Sequence, residues 1–299
     1  MFVSERPSSS RVLTSVLARA VVAMLILFGR HPTPGRCKSR LARALNSDEA
    51  AAAIYDAIVR VVLLRTSRER DDRDTGGLQL KFSCASSDDV AACEALFATG
   101  GRWRACARNA RDAAAIEVEA QTQVDDLGAR IVEAFRREVD DEVDDDARSS
   151  DSSIGRAVCV AGTDVPEFSR AHALEALALV EGASSADAPR VAFGPSRDGG
   201  FYCVAARATR ANCDALERAL AGVRWSASTT LEECARNCRA NGFDVRATMP
   251  ELLDVDDDGD LDALLAERLA ADDERESPAV RDAFAEMVRI LENSRAARP

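Results

Sequence analysis

The chain has 299 residues, 46% of them hydrophobic, enough to bury one sizeable core, and no linker divides it. Its 39 Lys and Arg against 51 Asp and Glu leave a net charge of −12, which repels nucleic-acid phosphates and anionic membranes over most of the surface. That balance disfavours a nucleic-acid partner but permits a nucleotide, provided that basic groups cluster locally.

The 20 N-terminal residues carry Arg6, Arg11 and Arg19 with Glu5 as their one acid, a composition compatible with an organellar transit peptide or a disordered leader. The apolar run over 20–28 is too short to span a bilayer, so no integral membrane segment is expected. It reads instead as a first strand of the buried parallel type over 21–28. A helix follows over 48–64, which Ser47 or Asn46 can cap by accepting from free amides of the first turn. Next come a strand at 78–84, a helix at 88–98, a short strand at 116–119 and a helix over 126–139.

The apolar run 157–161 predicts another buried strand, and an Ala/Leu-rich helix follows over 170–180. Strands at 191–193 and 201–205 flank the turn GPSRDGG. Helices at 212–221 and 229–241, a strand at 243–247 and a closing helix from Leu261 complete the domain, and a charged helical tail covers 271–299. In that tail Val280, Phe284, Met287, Val288 and Leu291 fall on one face. Residues 66–77 and 140–155, rich in charge or Ser and poor in apolar side chains, read as solvated insertions. Alternation of this kind implies an α/β fold with a mostly parallel central sheet and helices on both faces, whose ligands bind beyond the carboxyl ends of the strands.

Four segments carry chemistry. After the first strand, FGRHPTPGRCKSRL places Arg30, Gly35, Arg36, Lys38 and Arg40 in a loop, a composition that suits a phosphate cradle and equally suits ordinary surface charges. As loop cations, Lys38 and Arg40 are expected to matter little for stability. GTDVP puts Asp164 at the end of a buried strand, where a hard oxygen ligand could meet Mg2+ or Mn2+. GPSRDGGFY presents Asp198 with Gly199 and Gly200, which allow close backbone approach to a ligand or simply form a hairpin turn. DVDDDGDLD matches the first six positions of a calcium loop, but the twelfth is Leu265 where a bidentate Glu is required. His31 and His172 are the only histidines, which leaves almost no material for a Ser-His-Asp triad. The nine Cys are odd in number, scattered and without CxxC spacing, which points to a reducing, intracellular setting, cytoplasmic or organellar if residues 1–20 act as a leader.

Taken in order, these motifs resemble a family of bacterial glycosyltransferase-like proteins associated with radical-SAM and selenodomain proteins. That family is related to molybdenum-cofactor and phospholactate guanylyltransferases of the GT-A (nucleotide-diphospho-sugar transferase) superfamily. The family's FAKxPxPGxVKTRL is matched over 28–41, its DLGxR by Asp126, Leu127, Gly128 and Arg130, its GSDxP by GTDVP, and its GPxxDGGYY by GPSRDGGFY. Its WST appears as Trp225, Ser226, Ala227 and its DVDTPEDL as DVDDDGDL, while TQVD at 122–125 replaces a Gly-rich stretch. The resemblance covers 21–265 and implies a GT-A domain over 21–270. It implies Lys38 and Arg40 at the diphosphate of a nucleotide-activated donor, with Arg30, Gly35 and Trp225 near it. A divalent metal, Mg2+ or Mn2+, would sit between Asp164 and the Asp254/Asp256 pair, and Asp198, Gly199 and Gly200 would lie on the side of a small-molecule acceptor. The implied function is metal-dependent glycosyl or nucleotidyl transfer; a catalytically degenerate domain that binds nucleotide or a partner protein is the competing reading. No pattern specifies an oligomeric state.

Overall fold

The structure, a computed structural model, describes residues 23–67, 77–106, 116–139, 155–181, 188–270 and 276–297. The leader at 1–20 and nearly all of both insertions lie outside the described residues.

Alternating apolar side chains build a seven-stranded sheet whose chain order is β1 Met24–Gly29, β2 Gln79–Cys84, β3 Glu117–Ala120, β4 Arg156–Gly162, β5 Arg190–Pro195, β6 Phe201–Ala208 and β7 Asp244–Arg246. Across the sheet they lie β3-β2-β1-β4-β6-β5-β7. β1 pairs in parallel with β2 and β4, so it sits centrally, as a continuous apolar run requires. β6 alone runs antiparallel to both of its neighbours, β4 and β5, because the GPSRDGG turn returns it as a hairpin partner of β5.

Nine helices among the described residues cover the faces: α1 Ser39–Leu45, α2 Asp48–Thr66, α3 Val90–Phe97, α4 Leu127–Arg136, α5 Arg170–Val180, α6 Arg210–Leu220, α7 Thr230–Ala240, α8 Asp258–Ala270 and α9 Pro278–Ala296. The period-2 alternation of β1 divides the core. Leu25 and Leu27 pack with Phe82, Trp103 and Phe168 on one face, while Met24 and Ile26 pack with Phe135, Phe193 and Leu216 on the other. A third cluster joins α1, α2, α8 and α9 through Leu41, Ile54, Val255 and Leu261 with Val280, Phe284, Met287 and Leu291. The tail face is therefore buried as the sequence predicts, except that Val288 remains half-buried at its border. Among the described residues no helix is long and apolar enough to cross a membrane.

Two differences from the sequence reading have local causes. α1 begins inside the basic loop, directly after Lys38, which adopts a left-handed backbone (φ 48, ψ 50). α8 begins at Asp258, three residues earlier than expected, because Asp257 and Asp260 cap it. Asp257 Oδ1 accepts from the Gly259 and Asp260 amides, and Asp260 Oδ2 accepts from those of Asp256 and Asp257. The acidic run is thus a helix start in which these two carboxylates satisfy backbone donors.

Candidate functional site

The carboxyl ends of β1, β2, β3 and β4 share one edge of the sheet, where a cleft of about 810 Å3 opens. Arg30, Arg36, Lys38, Arg40 and Arg130 line it against two carboxylates, Asp164 and Asp256. An acidic protein thus carries a cationic cleft.

Its floor is tied together by a side chain that the sequence reading passed over. Tyr55 of α2 accepts at its hydroxyl from the Arg30 amide at 2.9 Å and shares a hydrogen bond with Thr163 Oγ1 at 3.0 Å. Thr163 in turn donates to the Phe28 carbonyl at 3.2 Å, so the ends of β1 and β4 are locked side by side. A Cβ at Gly29 would come within 2.5 Å of the Phe82 ring, so a side chain there could not be accommodated without displacing it. Tyr55 is buried, and its phenol is held well above its ordinary range by that burial and by the Asp164 charge.

At the β1/β4 side lies an acidic cluster, and a lysine stands within it. The Lys38 ammonium is 2.7 Å from Asp164 Oδ1 and 3.0 Å from Asp256 Oδ1, and only 6% of its side chain is exposed. Burial alone would lower its pKa; Asp164, Asp254 and Asp256 overcome that and raise it. Arg40 reaches Asp256 Oδ2 at 3.5 Å from solvent. Asp254 faces inward: its Oδ1 is buried without a hydrogen-bond partner. Burial, then the neighbouring Asp164 charge, pushes its carboxyl up to about 7, against the pull of Lys38. Three carboxylates therefore carry one buried ammonium.

Several expected site residues meet here and others do not. Arg30, Gly35, Lys38, Arg40, Asp164 and Asp256 all line the cleft. What stands between Asp164 and Asp256, however, is the Lys38 ammonium, so this group is engaged by carboxylates where a diphosphate contact was expected. Among the described residues no three Asp, Glu, His or Cys side chains are gathered closely enough to hold a metal ion as they stand.

Asp198, Gly199 and Gly200 are not among the lining residues. Asp198 Oδ1 accepts from Ser196 Oγ at 2.6 Å and from the Gly200 amide at 2.9 Å, closing its own turn. Gly199 has φ +86, and a Cβ there would meet the Ser228 carbonyl oxygen at 2.0 Å. The turn is therefore wedged against 227–231, and Leu231 donates its amide to the Gly199 carbonyl. Trp225 packs edge-on to Phe201 and donates to Asp126 Oδ2 at 3.0 Å; the next residue, Ser226, lines the cleft.

Arg130 and Gln121 also line the cleft. The sequence offered a signal only for Arg130, as the last residue of the DLGxR match. Gln121 lies beside the stretch in which the expected glycines are replaced. Cys37 lines the cleft too, but burial pushes its thiol up to about 11, leaving it protonated at neutral pH.

Residues 83–227 match the family described as "Uncharacterized protein conserved in bacteria" (DUF2064), a span that takes in both GTDVP and GPSRDGGFY. No curated protein matches the sequence. Among solved structures, the chain is similar to a protein from Desulfovibrio desulfuricans G20 provisionally assigned as a nucleotide-diphospho-sugar transferase. Identity is 21%, the alignment covers 91% of this chain and 97% of that one, and the TM-score is 0.63. Fainter likenesses are to a Methanothermobacter nucleotidyl transferase (15% identity, 84% of this chain and 99% of that one, TM-score 0.44) and to a cytidylyltransferase from Leptospira borgpetersenii (12%, 92% and 95%, TM-score 0.43). The Desulfovibrio likeness shows the fold: the mixed, mostly parallel sheet is of the nucleotide-diphospho-sugar transferase type.

Proposed function

We propose that the chain is a transferase that moves a glycosyl or nucleotidyl group from a nucleotide-activated donor to a small acceptor, assisted by Mg2+ or Mn2+. The observation that carries this reading is the cluster of three aspartates around one ammonium, set in a cationic cleft at the carboxyl ends of parallel strands. Strand ends of such sheets are where ligands bind. Transfer at phosphate calls for charge neutralisation more than for a nucleophile, and the cleft supplies charge in quantity.

The residues suit a hard divalent cation in their chemistry. Asp164 and Asp256 remain 38% and 49% exposed, and the buried Asp254 Oδ1 lacks a partner. Lys38 and, from solvent, Arg40 pair with Asp164 and Asp256, which leaves Asp254 as the carboxyl without an ion-pair partner. Asp164, Asp254 and Asp256 would hold the ion, which when bound would neutralise phosphate charge. Lys38 keeps Asp164 and Asp256 oriented toward the cleft, and Arg40, largely exposed beside Asp256, is free to turn to donor phosphate. Tyr55 and Thr163 hold the strand ends that fix this geometry.

One observation favours a second reading, a catalytically degenerate binding module: the cluster already has an internal cation in Lys38. The two readings separate in one experiment. Thermal stability is measured with nucleoside diphosphates, triphosphates and nucleotide sugars, with and without Mn2+, followed by product mass spectrometry. Metal-dependent stabilisation and a transferred group, both lost in Asp164→Asn, are the expected results; nucleotide binding with no product leaves the binding module, and melting indifferent to every nucleotide overturns the transferase reading.

A further inference from the structure

The cleft has a second charged end, on the β3 side, that the acidic cluster does not explain. Arg130 of α4 donates from Nη1 to Gln121 Oε1 at 3.2 Å and from Nη2 to the Asp125 carbonyl at 3.5 Å. Its Nε is buried without a partner. Gln121 is itself fixed, because its amide donates to the Cys84 carbonyl and its Nε2 to the Ser83 carbonyl at 2.9 Å. Arg130 is therefore aimed by a buried amide, and it makes no ion pair with any described carboxylate. The acid next to it in the motif, Asp126, is occupied: Oδ1 caps the Ala129 amide and Oδ2 accepts from Trp225.

Arg30, at the end of β1, is anchored through its backbone amide to Tyr55 and leaves its exposed guanidinium without a hydrogen bond or ion pair among the described residues. The two guanidiniums sense each other. Burial first, then the Arg30 charge, lowers the Arg130 pKa despite Asp125 and Asp126. Like charges left together without a counter-ion cost energy, and the cost is recovered when an anion enters. Elsewhere the pattern differs: Arg60, Arg136, Arg197 and Arg295 each face a carboxylate.

We infer that Arg30 and Arg130, with Gln121 as positioning residue, form an oxyanion subsite for a substrate phosphate, separate from the Lys38–aspartate cluster. The inference rests on the transferase reading only in taking this cleft as the place where substrate binds. Gln121 follows β3 and Asp164 follows β4, three strand spacings away, which is about 14 Å across the sheet. A phosphate held by the Gln121-anchored Arg130 lies toward the β3 side of the cleft, and Arg30, which follows β1, stands between it and the acidic cluster. Guanidinium forks bind phosphate oxygens in pairs, and two guanidiniums without an ion-pair partner match a dianionic phosphate better than a monoanionic carboxylate. The phosphate belongs either to the nucleotide donor or to a phosphorylated acceptor.

The test uses the full chain, its Arg130→Gln and Arg30→Gln variants, and calorimetry with inorganic phosphate, acetate, a sugar phosphate and a nucleoside diphosphate. Arg30→Gln changes an exposed side chain and so stays informative if Arg130→Gln folds poorly. Inorganic phosphate should bind the natural protein and lose about tenfold or more in affinity in each variant, the range for a lost charge-assisted pair. Acetate should show no comparable effect. If the nucleoside diphosphate weakens in step with phosphate, the subsite serves the donor; if only the sugar phosphate weakens, it serves the acceptor. Undiminished phosphate binding in both variants, absence of phosphate binding by the natural protein, or acetate binding as tightly as phosphate would each overturn the assignment. Phosphate binding without any nucleotide binding would keep the subsite and reject the transferase reading.

Discussion

Replacing Lys38 by Met tests the centre of the site. The substitution keeps most of the buried stem but removes the one ammonium that bridges Asp164 and Asp256 and offsets Asp254. Breaking a buried ion pair from one side costs about 3–5 kcal/mol when the remaining charge stays dry. Asp164 and Asp256 are more than a third exposed and can be rehydrated, so their share is discounted, and about 2–3 kcal/mol is the expected loss at pH 8. For a protein of this size that is a fall in Tm of roughly 5–10 °C. The sign with pH follows from Asp254, whose folded pKa of about 7 lies above its ordinary value of 3.8. Between those values the folded state holds a proton that the unfolded state has released, so this group's contribution to stability falls as pH rises through that window and is fully unfavourable above it. Without Lys38 that carboxyl should titrate higher still. The deficit of Lys38→Met should therefore be larger at pH 8 than at pH 5, and Mg2+ or Mn2+ should raise its Tm more than that of the natural protein. Thermal melts across pH, with and without metal, read all three. An unchanged Tm at pH 8, or an equal deficit at pH 5 and pH 8, would refute the reasoning.

Asp254→Asn removes a carboxylate whose ionisation is opposed by burial, so without metal it should gain on the order of 2 kcal/mol at pH 8 and flatten the stability profile between about pH 4 and 7, by urea denaturation. Gly199→Ala must both hold φ +86 and push a Cβ into the Ser228 carbonyl, so it should lose about 2–4 kcal/mol in the same assay; a change under about 1 kcal/mol would mean that the turn is free to move. Tyr55→Phe leaves the Arg30 amide and Thr163 hydroxyl without their shared partner and should cost about 1–2 kcal/mol at neutral pH, with no new pH dependence below pH 9.

The fold was readable wherever one physical signal dominated. The apolar runs at 21–28 and 157–161 read as buried strands, and β1 (Met24–Gly29) and β4 (Arg156–Gly162) lie on them; helix 170–180 keeps its bounds because its Ala/Leu content leaves little else. The GPSRDGG turn announced a hairpin, although Gly199 serves close packing against Ser228, and sequence could not distinguish that from close approach to a ligand. Most of the site was readable as a set of residues but not as a pattern of charge. Six of the expected residues line the cleft. Lys38 and Arg40 look alike in the loop, yet a left-handed turn at Lys38 starts α1, and its ammonium is buried among carboxylates while Arg40 stays outside. Nothing in the alternation of polar and apolar residues encodes that turn.

The same blindness applied to the acidic run, where Asp254, Asp256, Asp257 and Asp260 are chemically identical letters. The structure divides them by what each carboxylate accepts: backbone amides for Asp257 and Asp260, Lys38 for Asp256, and no partner for the buried oxygen of Asp254. Which carboxylates are used up is settled by long-range contact, and a sequence records contacts of that range only as separate residues. The groups left without an ion-pair partner, Asp254 in the acidic cluster and the Arg30 and Arg130 pair along the cleft, are therefore the features that only the assembled chain reveals. They are also the ones that an incoming ligand of complementary charge would satisfy, because every charged group lining the cleft other than Arg30 and Arg130 already has a partner within it or, for Arg36, in Asp89 beside it.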